Sequence, residues 1–154
     1  MTTIHDLAEL RARIGEEIGT SEWLLVTQDR IDAFADATDD HQWIHVDTAR
    51  ARAETPIGTT IAHGFLTLSL VSSLMRSAIS FAGLRMSINY GLNRVRFVSP
   101  LPAGSRIRAS VSLAALTDVD NAVQATWNVI VEREGGERPV LVAEWLVRYH
   151  PAKP

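Results

Sequence analysis

Apolar residues recur along this chain with two different periods, and the change between them divides it. Up to about residue 81 the spacing is helical; beyond Gly83 it becomes two. Ile4, Leu7, Ala8, Leu10 and Ile14, ending at Gly15, predict a short amphipathic helix inside an N-terminal helical segment spanning residues 1–20. Glu22 to Val26 reads as a strand. Thr27 is placed as an N-cap with Asp29 in the first turn, and Ile31, Phe34, Ala35 and Thr38 share one face of the helix that follows. The polar run Thr38 to Asp47 predicts a loop, closed by a brief helix over Thr48 to Ala53.

A broad apolar arc from Leu66 to Phe81, opening at Gly64, predicts a long and largely enclosed helix. Ser69, Ser73, Arg76 and Ser80 line up along its small polar face, which is expected to meet a cleft or a partner subunit. Alternation then carries strands around Val95–Phe97, Ile107–Leu113, Val123–Val131 and Val140–Tyr149. Their breaks, at Pro100 to Gly104, Asp118 to Asn121 and Gly135-Gly136, are short enough for antiparallel connections. Helices first and strands afterwards make an α+β chain, read as one domain over 1–154, in which a curved antiparallel sheet wraps one long central helix. Open sheet edges make a homodimer the expected state.

Composition narrows the function classes. At 154 residues, 46% hydrophobic and 21% charged, the chain is long enough to bury a core without a metal or disulfide. A net charge of −3 gives no general attraction to nucleic acid or anionic lipid. Zero cysteines exclude a thiol nucleophile and a thiolate metal site and fit a reducing compartment. The N-terminus lacks the pattern of a secretory signal, so the cytoplasm is expected. The uncharged stretch Thr55 to Met75 contains Pro56, Gly58, His63 and Gly64 and reads as a loop feeding a buried helix, with no membrane span.

Chemistry concentrates in two places. Asp40 and His45, five residues apart, converge on one point if their loop curls, a pairing suited to moving protons. The alternative is an Asp capping the loop and a half-buried His packing beside Trp43. Asp40, His41, His45 and Asp47 are all possible metal ligands, but they match no familiar zinc pattern, and no metal is expected. Gly64 opens the enclosed helix, where its N–H lacks an intrahelical partner and faces developing negative charge well; relief of crowding is the alternative there, as a structural role is for His63. Arg85, Arg94, Arg96, Arg106 and Arg108 alternate as on a solvated strand face, and none is assigned to a phosphate.

Taken in order, Asp40-His41-Gln42-Trp43-Ile44-His45-Val46-Asp47, Ile61-Ala62-His63-Gly64-Phe65-Leu66-Thr67-Leu68 and the run Asn89 to Phe97 resemble the MaoC-type hot-dog family of (R)-specific enoyl-thioester hydratases and dehydratases, particularly its NodN-like branch. The similarity extends from about Trp23 to Tyr149. It implies a hot-dog homodimer that adds water across a trans-2-enoyl thioester to give a (3R)-hydroxyacyl thioester, or the reverse. By motif position Asp40 and His45 correspond to the catalytic pair and Gly64 to the oxyanion-hole donor, with Ser72, Gln42 and His63 as possible substrate-binding residues. Where many members carry Asn-Pro, this chain has Gln42-Trp43, which bears on loop geometry and acyl preference. An acyl-CoA or acyl-carrier thioester is the implied partner, and the chemistry requires no metal or redox cofactor. The same fold also hosts thioester hydrolases and is compatible with a non-catalytic acyl-binding dimer.

Overall fold

The alternating tracts become the long strands of one sheet in a computed structural model that describes residues 1–152; the last two residues of the expected 1–154 domain lie outside the described residues. These strands are β5 (Leu84–Phe97), β6 (Ser105–Val119), β7 (Ala122–Arg133) and β8 (Leu141–Pro151). With β2 (Glu17–Thr20) they lie in the order β2-β6-β7-β8-β5, and β3 (Leu24–Val26) also pairs with β6. All these pairings are antiparallel. The hairpin between β6 and β7 turns through Asp120, whose φ of 41° lies in the left-handed region that Asp tolerates better than most residues.

Burial alternates along β6, β7 and β8, so one face of each is covered. The cover is α5 (Gly64–Ala78), which buries Leu66, Thr67, Val71, Leu74, Met75 and Ala78 and packs chiefly against β6. Helix and sheet share one apolar cluster centred on residues such as Trp127, Ile107, Leu113 and Leu141. The buried Trp127 Nε1–H donates to Tyr149 Oη at 3.1 Å, satisfying a polar atom that the core would otherwise strand. An α+β chain with an antiparallel sheet and a central helix is therefore the observed architecture.

The N-terminal segment departs from its expected helical character. Residues 1–20 hold β1 (Thr2–Ile4), the six-residue α1 (Leu7–Ala12) and β2. Asp6 caps α1 by accepting from the Glu9 N–H at 2.7 Å, while Ile4 enters a strand and is buried. β1 pairs in parallel with β4 (Ile79–Phe81), so α5 ends three residues before the expected Phe81. Such three-residue strands exist through pairing with remote segments, and no local period announces them. The same pairing removes Ser80 from the polar stripe of α5 and bonds it to Thr3 Oγ1 at 3.0 Å. Ser69, Ser73 and Arg76 do stay exposed on the helix, beside Phe65.

Strand β5 is the exception to the alternation. It lies at the edge of the sheet, bears three register shifts against β8, and leaves Met86, Ile88, Tyr90 and Leu92 exposed. Among the described residues no helix is long and apolar enough to cross a membrane.

Candidate active site

Two connections bring the chemistry to the start of α5. The first follows α2 (Gln28–Thr38), where Thr27 Oγ1 accepts from the Arg30 N–H at 3.2 Å, as its N-cap position requires. α2 stops at Asp39, whose φ of 56° reverses the chain. Asp40 to Gln42 then lead into α3 (Trp43–Val46), a single turn inside the expected loop, followed by α4 (Thr48–Glu54). The second connection, Thr55 to His63, runs beside the first, and the Ile61 N–H donates to the Ile44 carbonyl at 3.0 Å.

His45 sits on α3, buried, and its Nδ1 lies 2.6 Å from the Ile61 carbonyl. A carbonyl only accepts, so Nδ1 carries the proton and Nε2 keeps its lone pair. Burial lowers the His45 pKa below its ordinary value; the bond to Ile61 opposes this, His63 adds to it and the Asp40 carboxylate opposes it. The ring is therefore poised as a neutral proton acceptor.

His63 closes the second connection at 2% exposure. Its ring lies 3.8 Å from that of His45, nearly stacked, and 5.0 Å from that of Phe34. Nε2–H donates to the Asp40 carbonyl at 2.9 Å, which leaves Nδ1 buried without a hydrogen-bond partner. This contact pulls the Asp40 turn against the start of α5, so that polar atoms of Asp40, His45 and His63 all lie within 4.8 Å of one another.

Gly64 is the first residue of α5, and the N-cap residue His63 makes no side-chain bond to the first turn. The N–H groups there have no intrahelical acceptor and carry the positive end of the helix dipole. A Cβ on Gly64 would come within 2.9 Å of the Phe97 ring. His45, Gly64, Thr67, Phe97, Leu101 and Val140 are among the residues lining a cavity of about 230 Å³ at this point. A neutral imidazole and a helix N-terminus beside a mostly apolar cavity, with a carboxylate next to the imidazole, can move a proton and stabilise a developing oxyanion.

His45 and Gly64 line one cavity, while the exposed Asp40 lies beside His45 and His63 and outside the residues that line it. His63 stacks on His45, is not among the residues lining the cavity, and bonds to the Asp40 carbonyl. Gln42 is exposed as the N-cap of α3 and makes no side-chain capping bond. Ser72, two helical turns and about 12 Å beyond Gly64, lines a separate cavity of about 250 Å³ with Leu68, Leu92 and Trp145, and its Oγ accepts from Asn89 at 3.4 Å.

The four possible metal ligands do not assemble. His41 pairs with Asp36 at 2.9 Å, a bond that raises its pKa, and Asp47 caps α4 by accepting from the Arg50 N–H at 2.9 Å. In the closer trio of Asp40, His45 and His63, each imidazole has one nitrogen committed to a backbone carbonyl. The two rings are stacked, 28° apart in plane, and the trio includes neither His41 nor Asp47 of the expected ligands. Trp43 lies under the Arg50 guanidinium, 4.2 Å from the ring centroid. Arg106 and Arg108 are paired with Glu134 and Glu132.

Sequence reasoning missed Gln28 and Thr60. The Gln28 Nε2 donates to the His45 carbonyl at 2.7 Å, and its Oε1 accepts from the fully buried Thr60 hydroxyl. A glutamine in the first turn of a helix looks like any surface residue, and no local signal marks partners 17 and 32 residues away. Phe97 was legible as a strand residue but not as the cover of Gly64.

The sequence profile of the MaoC like domain matches residues 9–134. The chain is 51% identical over 150 residues to a Mycobacterium tuberculosis protein named 3-hydroxyacyl-thioester dehydratase Z, covering 97% of this chain and 99% of that one. It is 48% identical over 147 residues to nodulation protein N of Rhizobium leguminosarum bv. viciae, covering 91% and 88%. Among solved structures, the (R)-hydratase of A. caviae involved in PHA biosynthesis superposes with a TM-score of 0.68 at 26% identity over 86% of this chain and 96% of that one. With the profile spanning most of its length and relatives of this identity along nearly all of it, the chain belongs to the MaoC-like dehydratase family.

Proposed function

We propose that this protein reversibly dehydrates (3R)-hydroxyacyl thioesters to trans-2-enoyl thioesters, with Asp40 and His45 handling the water and the Gly64 N–H serving the thioester oxygen. An enzyme of the hydro-lyase type is what its relationship to a named thioester dehydratase over almost its whole length supports. The observation that carries the residue assignment is the His45 ring, fixed by Ile61 so that Nε2 is free beside Asp40 at an uncapped helix start.

In the hydration direction a water lies between His45 Nε2 and the Asp40 carboxylate. As its oxygen bonds to Cβ, its proton passes to Nε2, and the C2–C3 π electrons move toward the thioester oxygen. That oxygen becomes enolate-like opposite the Gly64 N–H, where a preorganised donor contributes typically ~2.7–4 kcal/mol. The enolate then closes by taking a proton at Cα from the Asp40–His45 pair. The pair returns to its starting state, and the substrate has gained H and OH across one double bond. Dehydration follows the same steps in reverse.

The functional unit we propose is a homodimer of one domain per chain, located in the cytoplasm and acting on a coenzyme A or acyl-carrier thioester. The bare β5 edge supports the dimer: a long strand with exposed Met86, Ile88, Tyr90 and Leu92 is a surface that soluble proteins normally cover or pair. A panel of enoyl-CoA chain lengths with chiral analysis of the product tests the reaction. Loss of the conjugated double bond with no thiol released, giving the (3R) product, is the expected result. Release of free thiol would establish a hydrolase instead, and binding without turnover an acyl-binding dimer.

A further inference from the structure

The orientation of His45 depends on two chain segments that are remote in sequence. Its ring is held by the Ile61 carbonyl, at the end of the Thr55–His63 connection, and its own backbone belongs to α3. If either segment slides, Nδ1 loses its acceptor and Nε2 its aim. One side chain is bonded to both. Gln28, the first residue of α2, donates from Nε2 to the His45 carbonyl at 2.7 Å and accepts at Oε1 from the Thr60 hydroxyl, one residue before Ile61. The same Nε2 also donates to Asp32 Oδ1 at 2.7 Å, one turn further along α2, so both amide hydrogens are used and the flip state of the amide is determined.

The arrangement is anchored from outside as well. Thr60 is fully buried, and its carbonyl accepts from the Ala103 N–H at 2.9 Å, tying this connection to the turn before β6. Gln28 itself is fixed by the capped start of α2. Neither Gln28 nor Thr60 lines the 230 Å³ cavity beside His45, and the Gln28 amide and Thr60 hydroxyl are committed to each other, to Asp32 and to the His45 carbonyl.

We infer that Gln28, acting with Thr60, is a positioning residue that fixes the tautomer and the aim of the His45 ring by clamping α3 to the Thr60-Ile61 backbone. This rests on the reading of His45 as the proton acceptor. Outer partners of this kind typically change activity by about 10–100-fold when lost, because a misplacement of ~1 Å at the reacting group costs about 10²-fold.

The test uses the full chain, with Gln28→Leu, Thr60→Val and Thr60→Ser compared for dehydration kinetics, thermal stability and the ring ¹⁵N signals of His45. Expected are a fall in kcat of about 10–100-fold for Gln28→Leu and Thr60→Val with KM changed less than about threefold, and rescue to within about threefold by Thr60→Ser. The His45 signals should pass from one tautomer to a mixture in the two impaired variants only, and the acid limb of the kcat profile should move up toward the ordinary histidine value as water reaches the ring. A single unshifted tautomer and an unchanged acid limb in folded Gln28→Leu would overturn the inference, whatever its kcat. The ¹⁵N signals need no substrate, so an inactive parent protein would count against the proposed reaction while leaving the clamp independently tested.

Discussion

Replacing Gly64 by alanine separates a catalytic from a packing role at the start of α5. The added Cβ would stand 2.9 Å from two carbons of the Phe97 ring, whereas carbon atoms rest best at about 3.5–4.0 Å. The ring must therefore withdraw by about 0.6–1 Å. Phe97 is 46% exposed on the edge strand, so it can swing toward solvent at the cost of its edge contact with Phe65. Overpacking in a closed core costs about 1–3 kcal/mol, and alanine returns about 1 kcal/mol in helix propensity, leaving a net loss of about 0–2 kcal/mol. For a chain of this size that lowers Tm by less than about 8 °C.

The effect on rate should be larger. A methyl group beside the N–H keeps the thioester oxygen from its place, and a displacement of ~1 Å costs about 10²-fold, or about 2.7 kcal/mol of barrier. Stopped-flow or spectrophotometric hydration assays on Gly64→Ala, Phe97→Ala and the double variant, each with a melting curve, separate the two effects. In the double variant the steric conflict is gone, so stability should approach that of Phe97→Ala while activity stays about 10²-fold down. Recovery of activity in the double variant would show that Gly64 merely makes room for Phe97, and the oxyanion assignment would be lost.

Asp40→Asn and His45→Gln should each lower hydration by about 10²–10⁴-fold with circular dichroism unchanged, and full activity in either would reject the pair. Because burial depresses the His45 pKa, the rate should hold down to below about pH 6.5 and fall only as the pH drops through the folded-state value. The sign for stability is the same: protons bind His45 more readily in the unfolded chain, so this contribution is complete above about pH 6.5 and is lost as the pH falls toward the folded pKa, which urea titrations at several pH values would detect. In Asp40→Asn the ring should titrate lower still, since Asp40 raises its pKa, and an NMR titration moving the opposite way would contradict the placement of that carboxylate. Met86→Lys combined with Ile88→Lys on β5 should convert a dimer to a monomer in light scattering; an unchanged mass would exclude this edge as the interface.

The primary sequence by itself determined the elements whose signal is local. The capped start of α2 at Thr27, the apolar arc of α5 and the alternation in β6 to β8 are periodic over many residues, and each period is a direct consequence of where Cβ atoms point. It also marked Asp40, His45 and Gly64 by their order along the chain. Tertiary structure alone decided what lies between them. β1, β2 and β4 are three or four residues long and are held by pairing with segments far away, so they leave no periodic trace. His63 is buried because Phe34 and His45 close around it, and Gln28 bonds two distant segments because both pass its amide. Which nitrogen of His45 is free was set by a carbonyl 16 residues downstream. A hydrogen bond's direction is a property of two groups in space, and the chain order of the residues that carry them does not contain it.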